Sequence, residues 1–208
     1  MRKTMAACLA VLLFALPMTA EACTRKISAK AAQTVPTTRI DQSLLSRSVR
    51  NEVNFHRCRA GLPALRDAGR GLDKQAAKHS QWMASTQQLS HRSTVPGLST
   101  LKQRVSAAGV RYRTGAENIG MVHRYQIDNR RFKILDSQQC NFTAQQGQTL
   151  PAHSYASLAR HIANLWMDSP GHRRNILDRQ VNRVSTAVAF DPKAKYCGRF
   201  WLTQNFVG

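Results

Sequence analysis

The chain has 208 residues, of which 42% are hydrophobic and 20% are charged, a composition that supports one sizeable core and excludes a wholly disordered protein. Lys and Arg number 31 against 11 Asp and Glu, which gives a formal net charge of +20. A surface of this charge attracts acidic lipids, lipopolysaccharide, anionic cell-wall polymers and nucleic acids, and salt weakens that attraction. The charge therefore indicates an anionic partner without selecting one.

The N-terminus has the three parts of a secretory signal peptide. Arg2 and Lys3 precede an apolar run from Met5 to Leu16, and small residues follow up to Ala22. The apolar run is shorter than the roughly 20 residues that cross a bilayer as a helix, and no later stretch is apolar for that length. We therefore expect residues 1–22 to be a removed leader. The mature chain should then be secreted or periplasmic, without a transmembrane segment.

The basic character and the cysteines belong to the mature part of the chain. Removal of the leader takes away two basic residues and one acidic residue, so the net charge changes only from +20 to +19. An even number of cysteines remains in an oxidising compartment, which predicts two disulfides among Cys23, Cys58, Cys140 and Cys197. Three pairings are open, and Cys140 with Cys197 is favoured because both lie in the second half of the chain and outside the predicted helices. Lipid modification of Cys23 is an alternative, since cleavage would leave it at the N-terminus.

Helical signals follow a flexible, basic lead-in over residues 23–40, and the domain is expected to span residues 41–208. Apolar residues at three-to-four spacing predict a first helix from the cap residue Asp41 to the Gly61 region. The same pattern predicts helices over about 72–88 and 98–108, and a fourth that begins after Ser154. Ser169 and Pro170 predict a further short helix.

Strand signals lie between and after these helices. Residues 116–122 and 131–135 are predicted as short strands, and residues 140–153 are predicted as a loop rich in Gln, Thr and Gly. Two alternating runs, Val184 to Phe190 and Arg199 to Phe206, predict a C-terminal β-hairpin. Helices followed by a closing hairpin indicate an α+β layered domain.

Several short motifs occur in one order along the chain. They are RxxAGLPxL at 57–65, HSxxMA at 79–84, LSH at 89–91, AENIG at 116–120, LWMxSPGHRxNIL at 165–177 and WxTQNF at 201–206. Together they resemble the bacterial branch of the CAP superfamily, the cysteine-rich secretory, antigen and pathogenesis-related proteins that share the SCP domain. The resemblance covers about residues 44–206, and the ordered combination is more specific than any single motif.

The resemblance implies an α-β-α sandwich with a small central antiparallel sheet, and a central cleft lined by two His and two Glu. In several members of the family this cleft holds a divalent metal. Residue by residue, His91 matches the first His, Glu117 the Glu of the Glu-Asn motif, and His172 the second His. The fourth position departs from the pattern, because Ser169 stands three residues after Trp166, where many eukaryotic members have Glu.

The three matching residues support more than one chemistry. His91, Glu117 and His172 could act as a catalytic cluster, or bind zinc with an open position for water, because imidazole nitrogen and carboxylate oxygen are common zinc ligands. A hydrogen-bonded structural cluster is the alternative. A nucleophilic role for Ser90 or Ser169 has weaker support, since no GxSxG motif occurs. His79 is expected to be a core-edge histidine.

The preferred functional hypothesis is an exported binding module that recognises an anionic cell-envelope component through its basic surface and the His/Glu cleft. The alternatives are a cleft hydrolase of cell-wall or peptide bonds that uses His91, Glu117 and His172, and a binding protein for lipids or sterols. Nucleic acid is not expected as a regular partner, because the chain is exported and carries no nucleic-acid motif. A basic middle region with interleaved aromatics could bind ligands by stacking. It comprises Arg111, Tyr112, Arg113, Arg124, Tyr125, Arg130, Arg131, Phe132 and Lys133.

Overall fold

The protein is described by a computed structural model over residues 23–25 and 27–208, so the predicted leader at 1–22 lies outside the described residues. The helices are α1 (Gln42–Arg59), α2 (Arg70–Thr86), α3 (Leu101–Ala107), α4 (Tyr155–Asp168) and α5 (Pro170–Leu177). The strands are β1 (Arg66–Asp67), β2 (Gly115–His123), β3 (Phe132–Asp136), β4 (Asn141–Ala144), β5 (Arg183–Asp191) and β6 (Arg199–Val207).

The central sheet has the strand order β1-β5-β6-β2. Strands β5 and β6 form the predicted C-terminal hairpin, and β6 pairs along its whole length with β2. Side chains alternate between the two faces of a strand, and β5 is buried almost throughout because both faces are covered. Val184 and Val188 join the cluster of α1 and α4, whereas Ala189 packs with Trp82 and Met83 of α2.

Helices therefore cover both faces of the sheet, with α2 on one side and α1 and α4 on the other. The predicted α+β class and the α-β-α sandwich are confirmed. Trp166 and Trp201 are buried in the core. Asp41 caps α1 by accepting a hydrogen bond from the Leu44 N–H, and Ser154 caps α4 in the same way.

Two local predictions are wrong in detail, and one short strand was not predicted. Helix α3 begins at Leu101 and not at 98, because Thr100 and Gln103 form a capping box that sets the start. The predicted loop at 140–153 contains β4, which pairs with β3 in a separate two-stranded sheet. The sheet also gains the two-residue strand β1, which runs parallel to β5 and is too short to produce a sequence pattern.

The lead-in differs from the flexible segment expected over 23–40. Residues 29–32 form a short 3-10 helix, and Ala31 and Val35 are buried in the main core. The Val35 N–H donates to the backbone carbonyl of His153. A single apolar residue among polar ones gives no periodic signal, so these contacts could be recognised only in the folded chain.

Two disulfides are present, as predicted. Cys140 pairs with Cys197, the favoured pairing, and Cys23 pairs with Cys58 on α1. Because the Cys23 sulfur is in a disulfide, the lipid-modified alternative does not apply to this structure. Across the part of the chain that is described, the helices are too short or too polar to span a membrane.

The aromatics of the basic middle region pack inward. Tyr112 lies against the cluster around Val105, while Tyr125 and Phe132 contact the buried Phe142 ring. Their partly buried rings therefore contribute to packing, and the stacking role considered from the sequence stays a prediction.

Candidate functional site

The candidate site, where the resemblance implies a cleft, is built around the Glu117 side chain, which strand β2 holds in place. Its backbone pairs with Asn205 of β6, and its side chain is 3% exposed. A buried carboxylate is costly unless it is paired and hydrogen-bonded. The surroundings of Glu117 supply both requirements.

Arg104 of α3 provides the main counter-charge. Its Nη2 atom donates to Glu117 Oε2 at 2.6 Å and to the His91 carbonyl at 3.2 Å, while Nη1 donates to the carbonyls of Leu98 and Ser99. The Arg104 side chain is 1% exposed. A guanidinium offers several donors in a fixed plane, so one side chain neutralises the carboxylate and also fixes the loop before α3.

His91 occupies the solvent side of the same carboxylate. Its Nδ1 atom lies 2.9 Å from Glu117 Oε1, and its side chain is 56% exposed. The carboxylate accepts, so Nδ1 carries the hydrogen and Nε2 remains as the ring's second polar atom. The pair therefore presents an oriented imidazole at the surface of the cleft.

His79 of α2 lies beneath this pair. Its Nε2 atom donates to the Ser90 carbonyl at 3.0 Å and lies 4.0 Å from Glu117 Oε1, and its ring stacks on Trp82. Burial lowers the pKa of His79 to about 4, although the nearby Glu117 opposes this effect. A neutral His79 thus supports the loop that carries His91. The expectation of a core histidine is confirmed, but His79 also borders the site.

His172 enters from α5 on the other side. Its backbone carbonyl accepts a hydrogen bond from the Asn118 side chain at 3.4 Å, and Asn175 donates to both Asn118 Oδ1 and the Glu117 carbonyl. These amides fasten α5 to β2. Burial, and then the nearby charge of His91, lower the pKa of His172. The structure thus brings His91, Glu117 and His172 into one region, and His91 with Glu117 into direct contact.

The serine positions have structural roles. The Ser90 carbonyl binds His79, and its hydroxyl accepts from the Arg92 N–H at 3.1 Å. Ser169 has the extended backbone of an N-cap residue between α4 and α5, but among the described contacts its hydroxyl makes no capping hydrogen bond. Neither contact set is that of an activated nucleophile.

The last residue of the AENIG motif, Gly120, lies where helix α4 packs closely against β2. A Cβ atom at this position would lie 2.7 Å from Ile162 Cδ1 and 3.2 Å from Trp166 Nε1. The same tryptophan nitrogen donates to the Ile119 carbonyl at 2.9 Å. The missing side chain therefore lets α4 approach β2 closely, which places the start of α5 beside Glu117.

The arrangement does not fit the three-ligand metal centre considered from the sequence. One oxygen of Glu117 is bonded to a buried guanidinium, whose positive charge opposes a second cation. Within residues 23–25 and 27–208, no group of three or more His, Cys, Asp or Glu is placed so that it could hold a metal ion. The cluster is therefore better suited to hydrogen bonding than to metal coordination.

Arg104 is the site residue that sequence reasoning missed. It lies on the same helical face as Leu101, Val105 and Ala108, which the apolar pattern identified. A charged residue within an apolar stripe signals a buried ion pair, but its partner, 13 residues away on β2, is defined only by the fold.

Comparisons with known proteins identify the family. The model of the cysteine-rich secretory protein family, CAP, matches residues 50–206, and this chain belongs to that family. An extracellular SCP-domain protein from Bacillus anthracis is 23% identical with a TM-score of 0.51, over 80% of this chain and 41% of that protein. An outer surface protein from Borrelia burgdorferi is 12% identical with a TM-score of 0.53, over 83% of this chain and 98% of that protein.

These two likenesses show the fold alone. This chain spans less than half the length of the Bacillus anthracis protein. No curated protein sequence matches the chain.

Proposed function

We propose that the protein is exported after removal of residues 1–22 and that its CAP domain, residues 41–208, binds an anionic polymer of the cell envelope at the His91–His172 cleft. Two disulfides agree with an oxidising compartment, and the two structural neighbours above are described as extracellular and outer-surface proteins. The family supplies the scaffold, whereas the ligand class is inferred from the site.

The observation that carries the proposal is the neutralisation of Glu117 by Arg104. With this carboxylate paired, the exposed His91 imidazole is left as a polar group at the candidate site. Two exposed arginines lie close to the histidines in the sequence, Arg92 directly after His91 and Arg174 two residues after His172. Donors and positive charges without an unpaired carboxylate favour phosphate or carboxylate groups as ligands.

The pKa of His172 gives the proposal a pH dependence. The pKa is depressed below its usual range, so the imidazole is neutral at neutral pH in the free protein. A bound anion favours the protonated form and raises the pKa of His172. Binding should therefore take up a proton and become tighter as the pH falls from about 7 toward 5.

The test uses purified cell walls that carry their anionic polymers. Protein that sediments with the walls is measured at low and high salt, together with soluble fragments released from them. We expect salt-sensitive sedimentation without release. The variant R92Q/R174Q should bind about tenfold more weakly, because two charges at the cleft are lost.

The matched control is R66Q/R70Q, which removes two exposed charges in and next to β1, at the opposite edge of the sheet from β2. An equal loss of binding in both variants would show that the overall charge, and not the cleft, carries the interaction. Binding that is unaffected by salt would contradict the anionic ligand class.

The hydrolase alternative rests on the bond between His91 Nδ1 and Glu117 Oε1, because a carboxylate that orients an imidazole is a feature of general-base catalysis. In that case His91 would accept a proton at Nε2 from water or substrate. The hydrolase function would be established if the native protein releases soluble fragments from the walls, while His91→Ala and His172→Ala fold normally but release none.

The lipid or sterol alternative has weaker support. A cavity of about 260 Å³ lies between the lead-in, α1 and α4, and Ile27, Ala31 and Leu44 contribute to its wall. This volume is below the range of about 300 to 1,000 Å³ that is usual for small-molecule sites. Binding of a lipid there stays a prediction.

A further inference from the structure

The β3–β4 hairpin exposes two adjacent aliphatic side chains. Ile134 is 49% exposed and Leu135 is 62% exposed. Large apolar side chains at neighbouring positions of a regular strand point to opposite faces, and one of them is normally covered. Their joint exposure therefore requires a local explanation.

A β-bulge supplies this explanation. Ile134 pairs with Phe142, and Asp136 pairs with Asn141, so a step of two residues along β3 corresponds to a step of one residue along β4. Leu135 is the additional residue. A bulge disrupts the alternation and redirects side chains, and it is a feature that proteins use at sheet edges and near functional sites.

Basic residues accompany the aliphatic pair. Arg131 and Lys133 are exposed on the same segment, and a second segment, joined to the hairpin by the Cys140–Cys197 disulfide, carries the exposed Lys195 and the 39% exposed Tyr196. The Tyr196 ring lies 5.2 Å from the ring of Phe132. We call this surface the hairpin patch, and it consists of Arg131, Lys133, Ile134, Leu135, Lys195 and Tyr196.

The hairpin patch is held in shape from behind. Phe142 is buried and meets Phe132 and Tyr196 edge to face at 5.9 and 6.3 Å. The Cys140–Cys197 disulfide joins the two segments next to these rings. The nearby acidic residue, Asp136, has its Oδ1 atom engaged by the N–H groups of Gln138 and Gln139. The apolar pair is therefore presented on a fixed, predominantly basic surface.

We propose that the hairpin patch docks the protein onto the surface of an anionic lipid bilayer. Ile134 and Leu135 enter the boundary between headgroups and acyl chains, Tyr196 lies at the headgroup level, and the three cations bind lipid phosphates. Aliphatic, tyrosyl and basic side chains on one surface match the successive layers of such an interface.

Other occupants match this surface less well. A soluble polyanion would use the charges but gains nothing from Ile134 and Leu135. A stable protein partner ordinarily buries about 800 Å² on each side, which greatly exceeds two aliphatic side chains. The bilayer uses both parts of the hairpin patch at once. This proposal is independent of the cleft, so either can fail alone.

The test is co-sedimentation of the disulfide-bonded, exported protein with vesicles. One set contains phosphatidylcholine alone, and the other contains phosphatidylcholine with phosphatidylglycerol. We expect binding to the anionic vesicles and little to the neutral ones. The variant I134S/L135S should bind at least about tenfold more weakly, because its apolar contribution is lost.

Two controls separate the hairpin patch from general properties of the chain. Ile27→Ser removes an isoleucine that is 49% exposed, as Ile134 is, and should change binding less than about twofold. R131Q/K133Q should weaken binding more than K74Q/K78Q, which removes two exposed charges from α2. His91→Ala should leave vesicle binding unchanged, whereas it would impair the cleft function proposed above.

A second measurement does not depend on loss of binding. All three native tryptophans are buried, so Leu135→Trp adds an exposed indole whose fluorescence can be followed. We expect its emission to move to shorter wavelength with anionic vesicles. The proposal is overturned if the native protein does not bind anionic vesicles or if I134S/L135S binds them as well as the native protein. It is also overturned if the emission wavelength of the added indole does not change.

Discussion

Replacing Arg104 with methionine tests whether the buried ion pair holds the cleft together. The substitution keeps an apolar stem of similar length but leaves the Glu117 carboxylate buried beside His79 without its guanidinium. It also removes the donors to the carbonyls of Leu98, Ser99 and His91. Helix α3 and strand β2 therefore lose their main polar link.

The burial of both partners sets the scale of this loss, since their side chains are 1% and 3% exposed. Removing one partner of a buried pair typically costs about 3 to 5 kcal/mol, because the other charge remains desolvated. We expect the free energy of unfolding to fall by about 4 kcal/mol, a large part of the roughly 5 to 15 kcal/mol of an ordinary domain. The second substitution Glu117→Met in the same chain should recover part of that loss, since an apolar pair leaves no buried charge.

Urea unfolding with both disulfides intact measures these differences. A loss below about 1 kcal/mol, or a double variant no more stable than R104M, would refute the assigned role of the ion pair.

Three further predictions concern buried histidine, the hairpin disulfide and the tight packing at Gly120. Burial lowers the pKa of His153 to about 4, so the folded state disfavours the charged form of this histidine. The free energy of unfolding should therefore fall by up to about 3 kcal/mol as the pH falls from about 6.5 toward 4. His153→Gln should flatten this pH dependence, and an unchanged slope would contradict the prediction. Replacing Cys140 and Cys197 with serine should lower the free energy of unfolding by about 2 to 4 kcal/mol, and an unchanged urea midpoint would show that the link contributes nothing. Gly120→Ala should lower the free energy of unfolding by about 1 to 3 kcal/mol, because its Cβ would lie 2.7 Å from Ile162 Cδ1. The second substitution Ile162→Val removes that Cδ1 atom and should restore part of the lost stability. If it restores none, the clash is not the cause.

Much of the fold could be predicted from local sequence because the controlling interactions are local. The Asp41 and Ser154 caps and the apolar spacing located α1 and α4. The alternation at 184–190 and 199–206 located the C-terminal hairpin, and the ordered motifs indicated the sandwich into which these elements pack. The favoured Cys140–Cys197 pairing also proved correct.

Features that depend on distant partners could not be derived in this way. Strand β1 exists because β5 offers an edge, and Ala31 and Val35 are buried because the core has space for them. The resemblance identified His91, Glu117 and His172 as candidates but gave no reason to join Glu117 to Arg104. That pair forms because α3 and β2 meet around a carboxylate that burial would otherwise penalise.

Sequence by itself therefore determined the helices, the hairpin, the disulfide cysteines and the basic charge, since each follows from residue type and short-range spacing. The candidate residues His91, Glu117 and His172 came from the resemblance of the ordered motifs to the family. Tertiary structure alone decided that Arg104 neutralises Glu117, that His79 is buried beneath His91, and that a bulge exposes Ile134 beside Leu135. Those three facts depend on which surfaces exclude water from one another, and residues far apart in the chain establish that exclusion only when it folds.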